Sequence, residues 1–422
     1  MSKRSSLAVV TAFFLILALS MAGCRDGGSQ QQSSVKSGPR IGAVTNTEAA
    51  INWDTYSVYR GAVSYRIAGE SGFTGKVLAS KETDRHNITL TNLKPNTKYE
   101  FQVEGHPAIG SFKTAPTESA SFVFVTMADN RGQSDTDDLK ALPLAFTNII
   151  TDATTRKAAF AVNAGDIFYG KNSDINTFKS LYQSFKTAIQ PLAFQIPYYI
   201  SPGNHEMSPY ASSDDKAGFD PVALFKTEFP QPAPQPALNG YEGTVFSWDY
   251  GKVHFVSIAT NQFDENVKTP KYAMYYVSDA QIKWLDNDLK TAKSNGAQFI
   301  FVFGHANAFS DSTWPADGDL GYLGNTDKVQ RDNFWNVLVA NKVDAYVCGH
   351  RHFFDNSTHD GVVQWMNGNS GSVVPTVPGD GKNQYTVWTV TVGSTTTTVK
   401  GELFDDKGNK DTNPAATITF TK

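Results

Sequence analysis

The sequence predicts a small all-β domain followed by a larger α/β domain, and three observations carry that reading. The chain has 422 residues, more than one average domain holds. Between Gly42 and about Thr114, apolar and polar residues alternate in short runs separated by turn formers, as in a β-sandwich. Beyond residue 120 the runs become nearly continuously apolar with helical stretches between them, as in a sheet buried on both faces.

The first residues stand apart from both domains. Lys3 and Arg4 precede the apolar run Leu7 to Leu19, and small residues follow. That order describes a secretory signal over residues 1–23, too short for a typical membrane span. An N-terminal anchor helix is the alternative. The stretch M-A-G-C ending at Cys24 resembles a bacterial lipobox, which implies an acylated Cys24, export and a lipid anchor to the membrane surface of the cell envelope. Residues 24–39, with Q-Q-Q-S-S, read as a polar tether without an apolar face. The other cysteine is Cys348, so acylation of Cys24 precludes an intramolecular disulfide, and Cys348 reads as a small buried hydrophobe at a strand end. The formal net charge is −4, and −6 once Lys3 and Arg4 are removed. Without a basic block, nucleic-acid binding has no electrostatic support.

Residues 40–115 hold the short strands, among them A-A-I-N-W-D (49–54), A-V-S-Y-R-I (62–67) and Y-E-F-Q-V (99–103). The stretch L-K-P-N-T-K-Y-E-F-Q-V (93–103) resembles the strand-turn-strand corner of fibronectin type III domains, which makes Tyr99 the corner tyrosine. A-P-T-E-S-A (115–120) is a linker, and residues 120–422 form the second domain. Six apolar runs there end in polar clusters, at Asp129-Asn130-Arg131, Asp166, Asn204-His205-Glu206, Asn261, His305 and His350-Arg351-His352. Helical stretches are Asp137–Ala153, Asp279–Ser294 and Lys328–Ala340. The Pro-rich F-P-Q-P-A-P-Q-P (229–236) excludes helix and central strand and reads as a surface loop. The Thr- and Val-rich tail from Tyr385 closes a sheet as strands.

The chemistry gathers just beyond the carboxyl ends of these runs, where α/β proteins place their sites. Four of the eight histidines (205, 305, 350 and 352) fall there. Singly, each cluster has a bland explanation, such as Asp166 capping a helix or His305 bonding in a turn. Five clusters at five strand ends are harder to dismiss. Two carboxylates, an amide oxygen and several imidazoles suit first-row transition metals rather than calcium or magnesium. A cysteine-type structural zinc is excluded. The donors exceed the need of one tetrahedral ion, and a carboxylate shared between two ions uses the surplus.

The order D-x-x…G-D-x-x-Y…G-N-H-E…G-H…G-H-x-H resembles the calcineurin-like metallophosphoesterase superfamily. The G-D-x-x-Y form and the preceding fibronectin III-like domain resemble the purple acid phosphatases. The resemblance implies an αββα metallophosphoesterase sandwich, of class α/β, preceded by a small all-β sandwich. It implies two metal ions. Asp129, Asp166, Tyr169 and His352 would hold the first, Fe(III), and Asp166 would bridge. Asn204, His305 and His350 would complete a second site for divalent Fe, Zn or Mn. The implied activity is hydrolysis of small phosphate esters, as in an acid phosphatase, by in-line attack of a metal-bound hydroxide. His205 would touch the phosphate and protonate the leaving alkoxide.

Two departures from the family pattern bear on the site. Arg131 stands where many members have a histidine ligand, and its guanidinium cannot bind metal. Arg131 is therefore expected near the phosphate or paired with a site carboxylate. The first site then lacks a ligand unless Tyr169 supplies one, the alternative being an aromatic packed over the site. Ala306-Asn307 replaces the more usual apolar-Pro continuation after His305, which alters the substrate rim. Glu206 reads either as a partner orienting an imidazole or as a surface salt bridge. Arg351 is expected to face away. Tyr210 and His359 read as surface or packing residues, and Trp248 and His254 as ordinary sheet residues. The loops Ser208–Pro236 and Phe309–Asp327 would set selectivity. A phosphodiesterase or nucleotidase on the same core is the alternative within the class, and a non-catalytic surface binding lipoprotein the alternative outside it.

Overall fold

A computed structural model describes residues 35–170, 174–207, 219–261, 275–310, 322–352, 354–367, 369–372, 385–405 and 409–422. The expected signal sequence, Cys24, tether residues 24–34 and Tyr210 lie outside the described residues. Seven strands come first: β1 (Val35–Val44), β2 (Ala49–Tyr59), β3 (Ala62–Ile67), β4 (Gly75–Leu78), β5 (Thr83–Leu90), β6 (Lys98–Val103) and β7 (Gly110–Lys113). They form a β1-β2-β5 sheet and a β4-β3-β6-β7 sheet. Ile51, Trp53, Ile88, Leu90 and Phe101 fill the space between them. The Tyr99 hydroxyl accepts from the Lys94 backbone N–H at 2.8 Å, the bond of a tyrosine corner.

The tether reading needs correction at its end, because β1 already starts at Val35. Ser37 pairs with Asp54 on β2, and its hydroxyl accepts from the buried Arg40 guanidinium at 2.8 Å. Polar residues read as solvated from composition are consumed here by the ladder and by a buried cation.

Among the described residues, twelve strands and eight helices build the second domain. The strands are β8 (Phe122–Met127), β9 (Ala161–Asn163), β10 (Tyr198–Ile200), β11 (Phe246–Tyr250), β12 (Val253–Ser257), β13 (Phe299–Phe303), β14 (Ala345–Cys348), β15 (Phe354–His359), β16 (Val362–Asn367), β17 (Tyr385–Val392), β18 (Thr396–Phe404) and β19 (Lys410–Thr421). The helices are α1 (Asp135–Lys140), α2 (Leu144–Thr154), α3 (Ile175–Ala193), α4 (Asn204–Met207), α5 (Pro221–Glu228), α6 (Asp279–Ser294), α7 (Leu323–Thr326) and α8 (Lys328–Ala340). One sheet has the order β10-β9-β8-β17-β18-β19 and the other β11-β12-β13-β14-β16-β15. The six apolar runs become β8, β9 and β10, parallel in the first sheet, and β12, β13 and β14, parallel in the second.

The sheets pack face to face through Phe124, Phe160, Tyr199, Trp248, Phe255 and Trp388. Phe146 of α2 and Phe178, Tyr182 and Phe185 of α3 cover the first sheet, and Trp284 of α6 and Phe334 of α8 cover the second. The layers are therefore αββα. Every parallel strand is buried on both faces, so continuous apolar runs foretell burial without revealing how many sheets share it.

Helices α6 and α8 start where polar caps allow, at Ser278 and Asp327, whose side chains accept backbone N–H groups. The stretch 137–153, expected as one helix, is two. Pro143 has no N–H to donate and disfavours helical backbone at Leu142, so α1 ends at Lys140 and α2 begins at Leu144. Helix α5 lies inside the stretch expected as the loop 208–236, capped by Asp220. The two domains are joined by buried charge: Lys186 on α3 reaches Asp54 on β2 at 3.0 Å and Glu228 on α5 at 2.6 Å.

Candidate metal centre

The loops after β8, β9, β10, β13 and β14 meet at one end of the sandwich. Asp129, Asp166, His350 and His352 all take left-handed backbone there, with φ of 53°, 55°, 76° and 54°. For residues with a Cβ this costs free energy, and it persists only where the surroundings impose it. They do so through hydrogen bonds. The Asp129 N–H donates to Gly165 O at 3.0 Å and the Asn130 N–H to Asp166 O at 3.1 Å, while Ser372 N–H donates to Asp129 O at 2.9 Å.

Close approach also explains the glycines before the ligands. Gly165 has φ +94°, and a Cβ there would sit 2.5 Å from Gly203 N. A Cβ on Gly203 would press on Asp166 Oδ1 and lie 2.5 Å from the Asp166 nitrogen. The two loops touch backbone to backbone, which only glycine permits.

The donors fall into two groups: Asp129, Asp166 and His352, and Asp166, His305 and His350, the ligand atoms of each lying within 4.8 Å of one another. Asp166 belongs to both. Asn204 Oδ1 lies 3.1 Å from His350 Nδ1, on the side of the second group. His305 donates from Nδ1 to Ala164 O at 2.7 Å, which leaves the Nε2 lone pair pointing into the site. That Nε2 lies 3.3 Å from Asp166 Oδ1 but off hydrogen-bond geometry, and the His350 Nε2 has no hydrogen-bond partner among the described residues. Buried nitrogens left so are costly unless a cation fills the space. Burial, with the like charge of Asp166 adding to it, pushes the Asp129 carboxyl up to about 8. Despite its own burial, Asp166 is held well below the usual carboxylate range by His205, His305 and Arg131. The donor set and its charge demand fit two transition-metal ions.

Arg131 points into the first group. Its guanidinium is 3.7 Å from Asp166 Oδ2 and 3.4 Å from His352 Nε2, and lies over the Tyr169 ring at 5.2 Å. Pairing with a site carboxylate, one of its two expected roles, is thus present. Tyr169 is half-buried, its ring 5.5 Å from that of His205, and its backbone N–H donates to Asp138 Oδ2 at 2.6 Å. The His205 Nδ1 meets the Tyr169 carbonyl, and Nε2 is 3.7 Å from Asp166 Oδ2. Burial pushes this imidazole down to about 4, against the pull of Asp166.

Glu206 fits neither of its expected roles. Fully buried, it accepts backbone N–H groups from Gly203 at 2.6 Å, Asp166 at 3.1 Å and Ile167 at 2.7 Å. It clamps the loop carrying Asp166 to the loop carrying Asn204. Sequence reasoning missed three other residues. Asp138 on α1 accepts from Gly132 N at 2.7 Å as well as from Tyr169, tying the Asp129 and Asp166 loops together. Asn163 donates to Asn130 Oδ1 at 2.7 Å and accepts from Gly165 N at 2.9 Å. The ring of Tyr275 lies 5.0 Å from that of His350 on the rim. The sequence signal for Asn163 was its place in N-A-G-D; Asp138 sits among helix-starting acids and carried none.

His359 and Trp248 pack as expected. His359 stacks on Phe309 at 3.7 Å, and Trp248 lies in the inter-sheet core. His254 is more than a sheet residue, bonding Asp249 at 2.7 Å and Asp288 at 2.9 Å. After His305, the Ala308 and Phe309 N–H groups both donate to Gln364 Oε1, giving this loop its own support.

A family described as calcineurin-like phosphoesterase matches residues 136–354, and the fibronectin type III family matches residues 34–120. Purple acid phosphatase 21 of Arabidopsis thaliana is 24% identical over 64% of this chain and 52% of its own length. Acid phosphatase type 7 of Mus musculus is 25% identical over 60% of this chain and 55% of its own. A further relative, named probable inactive purple acid phosphatase 9, also of Arabidopsis thaliana, is 23% identical over 64% of this chain and 42% of its own. The chain thus spans about half the length of the curated relatives it matches. The solved structure of purple acid phosphatase PPD1 from yellow lupin (Lupinus luteus) seeds aligns with 91% of this chain and 74% of that one, at a TM-score of 0.66 and 17% identity. It shares the fold.

Proposed function

The chain belongs to the calcineurin-like phosphoesterase family, and from that premise we propose that it is a binuclear-metal phosphomonoesterase of the purple acid phosphatase kind. The observation that carries the proposal is the pair of donor groups sharing Asp166. Asp129, Asp166, Tyr169 and His352 would hold the first ion, and Asp166, Asn204, His305 and His350 the second. A hard phenolate at Tyr169 favours Fe(III) in the first site, and the nitrogen-rich second site takes divalent Fe, Zn or Mn. Bound there, the metal pair neutralises phosphate charge and lowers the pKa of water.

The chain's own groups do the rest. Arg131, beside the bridging carboxylate, orients a phosphate oxygen. His205 has Nδ1 committed to the Tyr169 carbonyl, so Nε2 holds the proton that passes to the leaving alkoxide. Its pKa, low through burial, rises when a phosphate dianion arrives beside it. The protein is exported and anchored at the cell envelope through acylated Cys24, acting on small phosphate esters.

Metal analysis with a visible spectrum tests the centre, and rates on aryl phosphate and bis-aryl phosphate test the substrate class. Faster hydrolysis of the diester would overturn the monoesterase. Protein that binds no transition metal and hydrolyses neither ester would instead be a surface binding protein. A Tyr169→Phe variant that kept its colour and first-site metal would rule out phenolate ligation.

A further inference from the structure

A cavity of about 540 Å³ opens on the outer helical face, away from the metal ligands. Lysines from three elements line it: Lys36 of β1, Lys140 of α1 and Lys179 of α3. All three are exposed, and none has a salt-bridge or hydrogen-bond partner among the described residues. Among the described residues no Asp or Glu lines the cavity, and its other polar residues are neutral, such as Ser180, Gln183 and Thr187. On a chain whose formal charge is −4, this is a local reversal of sign. Leu139, 42% exposed, lies on the cavity wall, and Leu144, 58% exposed, starts α2 one helical turn before Thr147, which lines the cavity. Unpaired ammonium groups on flexible stems beside exposed leucines match the chemistry of a bilayer surface, phosphates outermost and hydrocarbon beneath.

The position along the chain points the same way. Lys36 is the second described residue, and Cys24 precedes Val35 by eleven residues. Eleven residues reach at most about 35–40 Å, so an acylated Cys24 keeps this face within tether length of the bilayer. We propose that this lysine-lined cavity docks the protein against anionic phospholipid, the three ammonium groups taking lipid phosphates and Leu139 and Leu144 entering the interface. The docking rests on the lipid-anchor reading and adds an orientation to it.

Each lysine near an anionic surface strengthens attachment about fivefold, and three together about a hundredfold. The test uses the full-length protein as matured by an exporting bacterial host, with vesicles of phosphatidylcholine alone or mixed with phosphatidylglycerol. A Leu144→Cys substitution carries a polarity-sensitive fluorophore. Flotation with pure phosphatidylcholine reports the anchor, and a blue shift confined to mixed vesicles reports docking. The combined change Lys36→Glu, Lys140→Glu and Lys179→Glu is expected to lower the docked-to-undocked ratio about a hundredfold or more. High salt should do the same to the unmutated lysines. Lys98, Lys113 and Lys157 line a second cavity at the opposite end of the β8, β9 and β10 strands, and their reversal should leave the blue shift unchanged.

Flotation on both vesicle types with identical emission overturns docking and leaves the anchor standing. Lysine-dependent binding to mixed vesicles alone upholds docking and overturns the anchor. Flotation with neither overturns both.

Discussion

Replacing Glu206 probes how the metal centre is held. Its buried carboxylate accepts three backbone N–H groups, from Gly203 and Asp166 at Oε2 and from Ile167 at Oε1. In Glu206→Ala all three donors lose their acceptor inside the protein. Each unpaired buried donor costs about 1–3 kcal/mol, so the total is about 3–9 kcal/mol before any water enters. That is comparable with the whole stability of a domain, about 5–15 kcal/mol. Glu206→Gln can keep its oxygen on Gly203 and Asp166 but turns its amide N–H toward the Ile167 N–H, costing about 1–3 kcal/mol. Because the clamp sets the backbone of Asp166, metal affinity should fall roughly 10–100-fold in both variants. Urea denaturation of metal-free protein reads the first effect, and metal titration by calorimetry reads the second. A Glu206→Ala protein with an unchanged midpoint and unchanged metal affinity would refute the reasoning. A lowered midpoint with intact affinity would confine Glu206 to the scaffold.

Three other perturbations follow from the same contacts. Lys186→Met leaves Asp54 and Glu228 buried without their shared cation; because Arg40 and Arg85 still face them, the loss should lie near the low end of about 3–5 kcal/mol, measured by urea denaturation. Burial alone would lower the pKa of His254, but bonds to Asp249 and Asp288 raise it to about 9. The resulting stability is complete below about pH 6.5 and is lost as pH rises through about 9. It amounts to about 2–3 kcal/mol, nearer the lower figure because Asp249 is largely exposed, and His254→Gln should flatten the stability profile over that window. Gly203→Ala drives a methyl group against Asp166 and should weaken metal binding more than tenfold while the circular dichroism spectrum stays unchanged, as read by metal titration.

How much of the site could be read beforehand depended on where each residue's partner lies in the chain. Asp129, Asp166, Asn204, His305, His350 and His352 were legible because each follows an apolar run within a short motif, and the structure brings them together. Glu206 was visible as a residue and misread in its role, since its partners are backbone amides of a loop 39 and 40 residues away. Asp138 was invisible because an acid in a first helical turn is the commonest reading of such a residue. The three lysines of the basic cavity stand far apart in sequence, and no spacing rule gathers Lys36, Lys140 and Lys179.

The sequence by itself determined the succession of a β-sandwich and an α/β domain, the six buried strands and the donor types at their ends. Those are local properties, set by side-chain periodicity and by the chemistry of single residues. Only the tertiary structure decided that the strands divide between two sheets, that Asp166 belongs to both donor groups, and that four candidate donors sit in left-handed backbone. Each of these rests on hydrogen bonds and close contacts between segments dozens to hundreds of residues apart, which local pattern does not encode.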